Sequence, residues 1–162
     1  MKASPLSENF EQIKPTCCGG HSHSVRDVMA KAKLFCAQNN QRLTPPREEV
    51  LNILARSHKA LGAYDILENA RIDGKKSKPP TIYRAIEFWL EHGFIHRIES
   101  LNAYVACDHD HGKAGIHFLV CEQCKTVREA HTPSPLKGIE LGGFAPKHSQ
   151  TETIGLCKNC QH

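Results

Sequence analysis

"KPPTIYRAIEFWLEHGFIHRIESLNAYVAC", residues 78–107, passes from a helical period to a strand period without a break. Pro79 and Pro80 suit the first turn of a helix, where their missing N–H groups have no intrahelical partner to lose. Ile82, Ile86, Trp89 and Leu90 then recur on one face, and Tyr83, Arg84 and Glu87 project from the others. Gly93 stands where a helix commonly closes in left-handed backbone. Beyond it, "FIHRIESLNAYVAC" alternates as a two-stranded hairpin does.

Upstream, more helices lead into this unit. Val25, Val28, Met29, Ala32 and Phe35 share a helical face, with Cys36 beside them as a small core residue. Thr44 is expected to cap a helix that opens with Pro45 and Pro46 and buries Val50, Leu51 and Leu54. A short helix capped by Gly62 follows, with Ala63, Ile66, Leu67 and Ala70 inward, and "DGKKSK" reads as a solvated basic loop. Helix, helix, helix and hairpin is the order of a winged helix-turn-helix domain, here spanning 25–107.

In such a domain the third helix of that trio enters the major groove. Arg84 is placed to donate two hydrogen bonds to a guanine, and Tyr83 to reach a phosphate or a thymine methyl. Lys76, Lys78, Arg42 and Arg47 would lie along the backbone. Taken singly, each of these cations is better read as a solvated surface charge; their gathering around one helix start shifts the balance modestly toward DNA. The net charge of +4 is compatible with nucleic acid without requiring it.

Residues 116–162 differ in kind. "GIHFLVC", "KTVREA" and "TETIGLC" read as short β-branched strands, and a Cys-x-x-Cys pair follows two of them. Two such turns from distant segments supply the four soft ligands of a tetrahedral site, so Cys121, Cys124, Cys157 and Cys160 form one closed structural zinc site. A redox dithiol needs only one pair, beside a βαβ pattern that is absent. A closed site leaves no coordination position for a hydrolytic water. With no Gly-rich phosphate loop and no Ser nucleophile signature, no enzyme is expected. Two small domains in 162 residues bury little apolar surface, and a metal staple offsets that.

Residues 1–24 read as a flexible tail, in which "CCGGHSH" (Cys17 to His23) offers incidental soft ligands, and 108–115 as a hinge. No secretion signal and no long apolar run is present, so the eight Cys are read against a reducing cytoplasm, as ligands before disulfides. A second set of ligands converges on the hinge. His96 and Cys107 fall on one face of the hairpin, directly opposite if Leu101-Asn102 is the loop. "DHDHGKAGIH" adds His109, His111 and His117, and Glu129 follows on the strand after the first Cys pair. A thiolate, imidazoles and a carboxylate suit zinc better than iron or manganese.

The stretches "CAQNNQRLTPPREEVL", "KPPTIYRAIEFWLEHGFIHRIES", "NAYVAC" and "FLVCEQCKTVRE" with "GLCKNC" together resemble the ferric uptake regulator (Fur) superfamily, and within it the zinc uptake regulator (Zur) branch. The resemblance implies a mixed α/β protein: a winged helix over 25–107 and a small C-terminal α/β dimerisation domain over 116–162. It implies a bacterial, cytoplasmic homodimer that represses zinc uptake and homeostasis genes from an AT-rich palindrome, with two zincs per subunit. By residue, it places the structural zinc on the four Cys named above. The regulatory zinc falls on His96, Cys107, Glu129 and a hinge His, either His111 or His117, with the spacing before the Cys pair pointing to His117. His148 matches a position that holds a further metal in some relatives, and Tyr83 and Arg84 match the base readers. Lys125 departs from the Gly frequent at that position, and the Pro- and Gly-broken segment between the Cys pairs shortens the expected dimerisation helix. Competing expectations are a sensor of another metal or of peroxide, which Cys107 argues against, and a zinc storage or delivery protein.

Overall fold

Four helices and seven strands run through the residues described by the computed structural model, namely 25–57, 59–107, 115–130, 141–145 and 149–161. Helices α1 (Val25–Gln38), α2 (Pro45–Arg56), α3 (Ala63–Asn69) and α4 (Pro79–Glu91) enclose the first core. Val28, Ala32 and Cys36 come from α1, Val50, Leu51 and Leu54 from α2, and Ile66 from α3. Helix α4 buries Ile82, Ala85, Ile86, Phe88 and Trp89, while the Leu90 expected in that stripe is half-buried. Trp89 is fully buried, and its indole N–H donates to the Arg47 carbonyl at 2.7 Å, so its polar atom is satisfied inside the core.

Two local expectations change. Thr44 occupies the cap of α2, yet its side chain makes no capping bond. Pro46 at the second helical position lacks an N–H that a cap would accept, and the Thr44 carbonyl takes the first intrahelical bond, from the Glu48 N–H at 3.0 Å. The basic loop is folded. Strands β1 (Arg71–Ile72) and β2 (Lys75–Lys76) pair around Asp73-Gly74, both with positive φ, 52° and 74°. Asp-Gly is the dipeptide that a tight hairpin turn selects, so the signal stood in the sequence.

Gly93 closes α4 at φ 72°, as its position predicts, and the chain turns into the wing. Strands β3 (Ile95–Ile98) and β4 (Ala103–Ala106) pair antiparallel with His96 opposite Val105. The hairpin is therefore not centred on Leu101-Asn102. A 3₁₀ turn at Glu99–Leu101, ended by Asn102 in left-handed backbone, takes up four residues and moves the register by two. A shift of two keeps every side chain on its own face, so His96 and Cys107 still share one. Leu61 bridges Tyr104 through two backbone bonds, adding a one-residue third strand.

Strands β5 (Ile116–Cys121), β6 (Val127–Ala130) and β7 (Gln150–Gly155) form a sheet in the order β6-β5-β7, with β6 antiparallel and β7 parallel to β5. Ile116, Phe118, Val120 and Val127 from this sheet join Ile98 and Val105 from the wing in a second core. The wing thus serves both cores. Ile95, Tyr104 and Ala106 belong to the helical one, and Ile98 and Val105 face the sheet. The Cys17 to His23 tail, His109, His111, His148 and the greater part of the expected dimerisation helix lie outside the described residues.

Candidate metal centres

The two Cys-x-x-Cys turns meet. β5 delivers Cys121 at its last residue, and the chain turns through Cys124 before β6; Cys157 follows β7, and Cys160 ends a short 3₁₀ turn. Because β7 runs parallel to β5, both strands end on the same side of the sheet and bring their turns together. The four sulfur atoms lie within 4.8 Å of one another, and Cys124 Sγ is 3.6 Å from Cys157 Sγ. Tetrahedral Zn–S bonds of about 2.3 Å require sulfurs about 3.8 Å apart. The donor set fits zinc. Among the described residues it is the one group of three or more candidate ligands that the fold gathers.

Electrostatics within the cluster agree. Backbone N–H groups of Cys124 and Cys157 aim at Cys121 Sγ, the latter at 3.3 Å, and pull that thiol down to about 6. Cys124 is lowered too, first by the Thr126 hydroxyl 3.2 Å away. Cys160 is pushed up to about 12, mainly by its bond to Cys157, since a cluster of thiols resists a further negative charge. A dication removes that resistance. Lys125 has φ 61°, so the position after the second thiol is indeed left-handed, and here a Lys occupies it. Cys36, deep in the helical core with its thiol raised by burial, is packing.

The second group is partly assembled. Cys107 and Glu129 are almost wholly buried, and Cys107 Sγ lies 3.7 Å from Glu129 Oε2. Glu129 pairs with Phe118 in the β5–β6 register and so faces the wing. His96 is buried on the wing's sheet-facing side, its ring 5.6 Å from that of Phe118. His117 is placed elsewhere. It pairs with Ala130, one residue out of phase with Glu129, so it points from the other face of the sheet, with Nε2 2.7 Å from Thr153 Oγ1.

The wing is also tied to the sheet at its turn, which sequence reasoning missed. Glu152 on β7 accepts the backbone N–H groups of Glu99 at 2.7 Å and Ser100 at 3.1 Å, and Gln150 donates to the Arg97 carbonyl at 2.7 Å. The available signal was the alternation of "QTETIG", which sets Gln150 and Glu152 on one face.

Around α4, Tyr83, Arg84, Lys76, Lys78 and Arg42 are exposed. Arg47 is not a free surface cation. Its guanidinium lies 3.4 Å from the centre of the Phe88 ring and donates to the Arg42 carbonyl at 2.6 Å, so it packs α2 against α4.

A helical domain ending in a wing, joined to a sheet closed by four thiols, defines a winged-helix protein with a metal clasp. The ferric uptake regulator family model matches residues 38–141, and the chain belongs to that family. It is 38% identical over 146 residues to the zinc uptake regulation protein of Escherichia coli (strain K12), covering 85% of this chain and 83% of that one. A solved zinc uptake regulator complexed with zinc and DNA superposes with a TM-score of 0.73 at 37% identity, covering 85% of this chain and 95% of the other. Holo XcZur gives 0.72 at 34% identity and apo XcZur 0.50 at 32%, each covering 85% of this chain and 98% of the other.

Proposed function

We propose that the chain is a zinc-responsive, DNA-binding transcriptional repressor of zinc uptake and homeostasis genes, acting by binding and not by catalysis. The observation that carries this reading is the buried meeting of Cys107 from the wing with Glu129 from the sheet, 3.7 Å apart. The likeness to a zinc uptake regulator solved with zinc and DNA supports it.

Two zincs per subunit are proposed. Cys121, Cys124, Cys157 and Cys160 hold the structural one, and the regulatory one falls to Cys107, Glu129, His96 and, with His117 turned away, His111 of the hinge. Zinc bound there supplies a cationic bridge between wing and sheet. Cys107 and Glu129 ionised together in a buried interface repel each other, and burying each charge costs several kcal/mol. The closed arrangement with both ionised is therefore unfavourable without a cation, and the wing and its helix α4 sample other orientations. Selection of the closed subset is a population shift, and moving 1:99 to 99:1 requires about 10⁴-fold preference of the ligand for the closed state.

In the homodimer that the resemblance implies, closure sets two α4 helices to read successive major grooves of an AT-rich palindrome, with Tyr83 and Arg84 at the bases. The protein works in the cytoplasm in this reading; no helix among the described residues is long and apolar enough to cross a membrane. Fluorescence anisotropy of a palindromic AT-rich duplex, with zinc and then with chelator, tests it. Zinc-dependent binding is expected. Equal binding in both conditions removes the sensor, and none in either favours storage.

A further inference from the structure

The wing meets the sheet at two places that share no residue. At its open end Cys107 faces Glu129, and at its turn the backbone of Glu99 and Ser100 donates to the Glu152 carboxylate. Both Glu152 oxygens are used, Oε1 for Glu99 and Oε2 for Ser100, and Gln150 completes the contact by donating to Arg97 O and to Glu152 Oε1, the latter at 3.2 Å. The partners lie more than fifty residues away in sequence and come from opposite sides of the hinge. The contact lies at the surface, with Glu99 and Ser100 exposed. Glu152 is half-buried, and the bonds donated by Glu99 and Ser100 outweigh the burial that would raise its carboxyl. Charge-assisted bonds to a fixed pair of backbone N–H groups demand one orientation of the turn, because both oxygens must be met at once.

From this we infer that Glu152, with Gln150, is a positioning residue: a metal-free clasp on the closed arrangement that works together with the hinge ligands. The inference rests on the zinc-sensor reading of Cys107 and Glu129. Whatever lowers the population of the closed state lowers the apparent affinity of a ligand that binds only that state. Linkage is reciprocal, so hinge zinc tightens the clasp as much as the clasp tightens zinc. Neither Glu152 nor Gln150 is among the residues assigned to hold the metal. The arrangement in which the clasp is made is also the one that superposes better on holo than on apo XcZur, 0.72 against 0.50.

The test uses full-length protein carrying two zincs, titrated with a competing chelator, beside Glu152→Ala and Gln150→Ala. Amide hydrogen exchange is followed at Glu99 and Ser100. In the wild type these amides are expected to be protected with zinc and to exchange faster once the hinge zinc is stripped. In Glu152→Ala they exchange fast in both states, and the second zinc binds about tenfold more weakly, with the four-thiolate zinc retained. Glu152→Gln recovers part of the affinity, since its amide oxygen still accepts one N–H. A purely structural role would lower thermal stability and leave the second zinc's affinity unchanged. That result, or amide protection indifferent to zinc, overturns the linkage alone. A wild-type protein that takes only one zinc per chain overturns the sensor reading and the linkage with it.

Discussion

Cys107 and Glu129 approach to 3.7 Å although one belongs to the wing and the other to the C-terminal sheet. A thiol and a carboxylate so buried are held by the packing of Ile98 and Val105 against Phe118 and Val120. Removing the thiol should therefore separate the two metal centres functionally. Cys107→Ser is expected to abolish zinc-dependent DNA binding while one zinc per chain survives purification. Loss of both zincs, measured by elemental analysis, would contradict the division into two centres.

The placement of the two candidate hinge imidazoles gives a sharper comparison. His117 lies on the sheet's other face against Thr153. His117→Ala is expected to leave the second zinc's affinity within about threefold of wild type, and His111→Ala to weaken it by about 10- to 100-fold. The reverse order, read by chelator competition, would return His117 to the site.

The four-thiolate cluster closes a sheet of only three strands. Binding free energy at such a site is folding free energy. Cys124→Ser or Cys157→Ser should release the structural zinc and unfold strands β5, β6 and β7 as a unit, seen as loss of β signal and of amide protection on β5. Folding of the helical half, with its own core, should persist.

Two arginines near α4 should behave oppositely. Arg84 is exposed, so Arg84→Ala is expected to cost about 1–3 kcal/mol at a specific site with no loss of thermal stability. Arg47 stacks on Phe88, so Arg47→Ala should lower stability by about 0.5–2 kcal/mol and weaken all DNA equally, if at all. Matched melting and anisotropy curves distinguish the cases.

Acid should loosen the wing's turn. Burial raises the Glu152 carboxyl, but the hydrogen bonds from Ser100, Glu99 and Gln150 leave it below its usual value. The folded state therefore binds this proton less readily than the unfolded chain does. The resulting stability is complete above the ordinary carboxylate range, about pH 4.3, and fades as pH falls through the lower folded value. Near the turn Arg97 pairs with Glu99 at 3.5 Å, an exposed contact. Urea midpoints for wild type and Glu152→Gln should differ by a constant amount above about pH 5 and converge below it. A constant difference down to pH 3 would refute the assignment.

How much of this was legible depends on the kind of signal. Parity was readable: the alternation of "FIHRI" and "AYVAC" placed His96 and Cys107 on one face whatever the register. The register was not readable, because nothing local announces that Glu99–Leu101 forms a 3₁₀ turn ended by a left-handed Asn102. The four thiols were readable from spacing alone, since two Cys-x-x-Cys turns have few other uses in a reducing compartment. The fate of Arg47 was not, because stacking on Phe88 depends on how α2 crosses α4. The phase of His117 relative to Glu129 was not readable for a related reason: it is set by the β5–β6 pairing, which spacing before the Cys pair does not encode.

Two neighbours press on the wing at once, and this restricts how its turn can change in length. Losing or gaining one residue between Glu99 and Asn102 would invert the returning strand, sending Val105 and Cys107 toward the helices and Tyr104 and Ala106 toward the sheet. Insertions or deletions in pairs leave both neighbours satisfied. Length variants of this loop that keep the protein working should therefore come in steps of two.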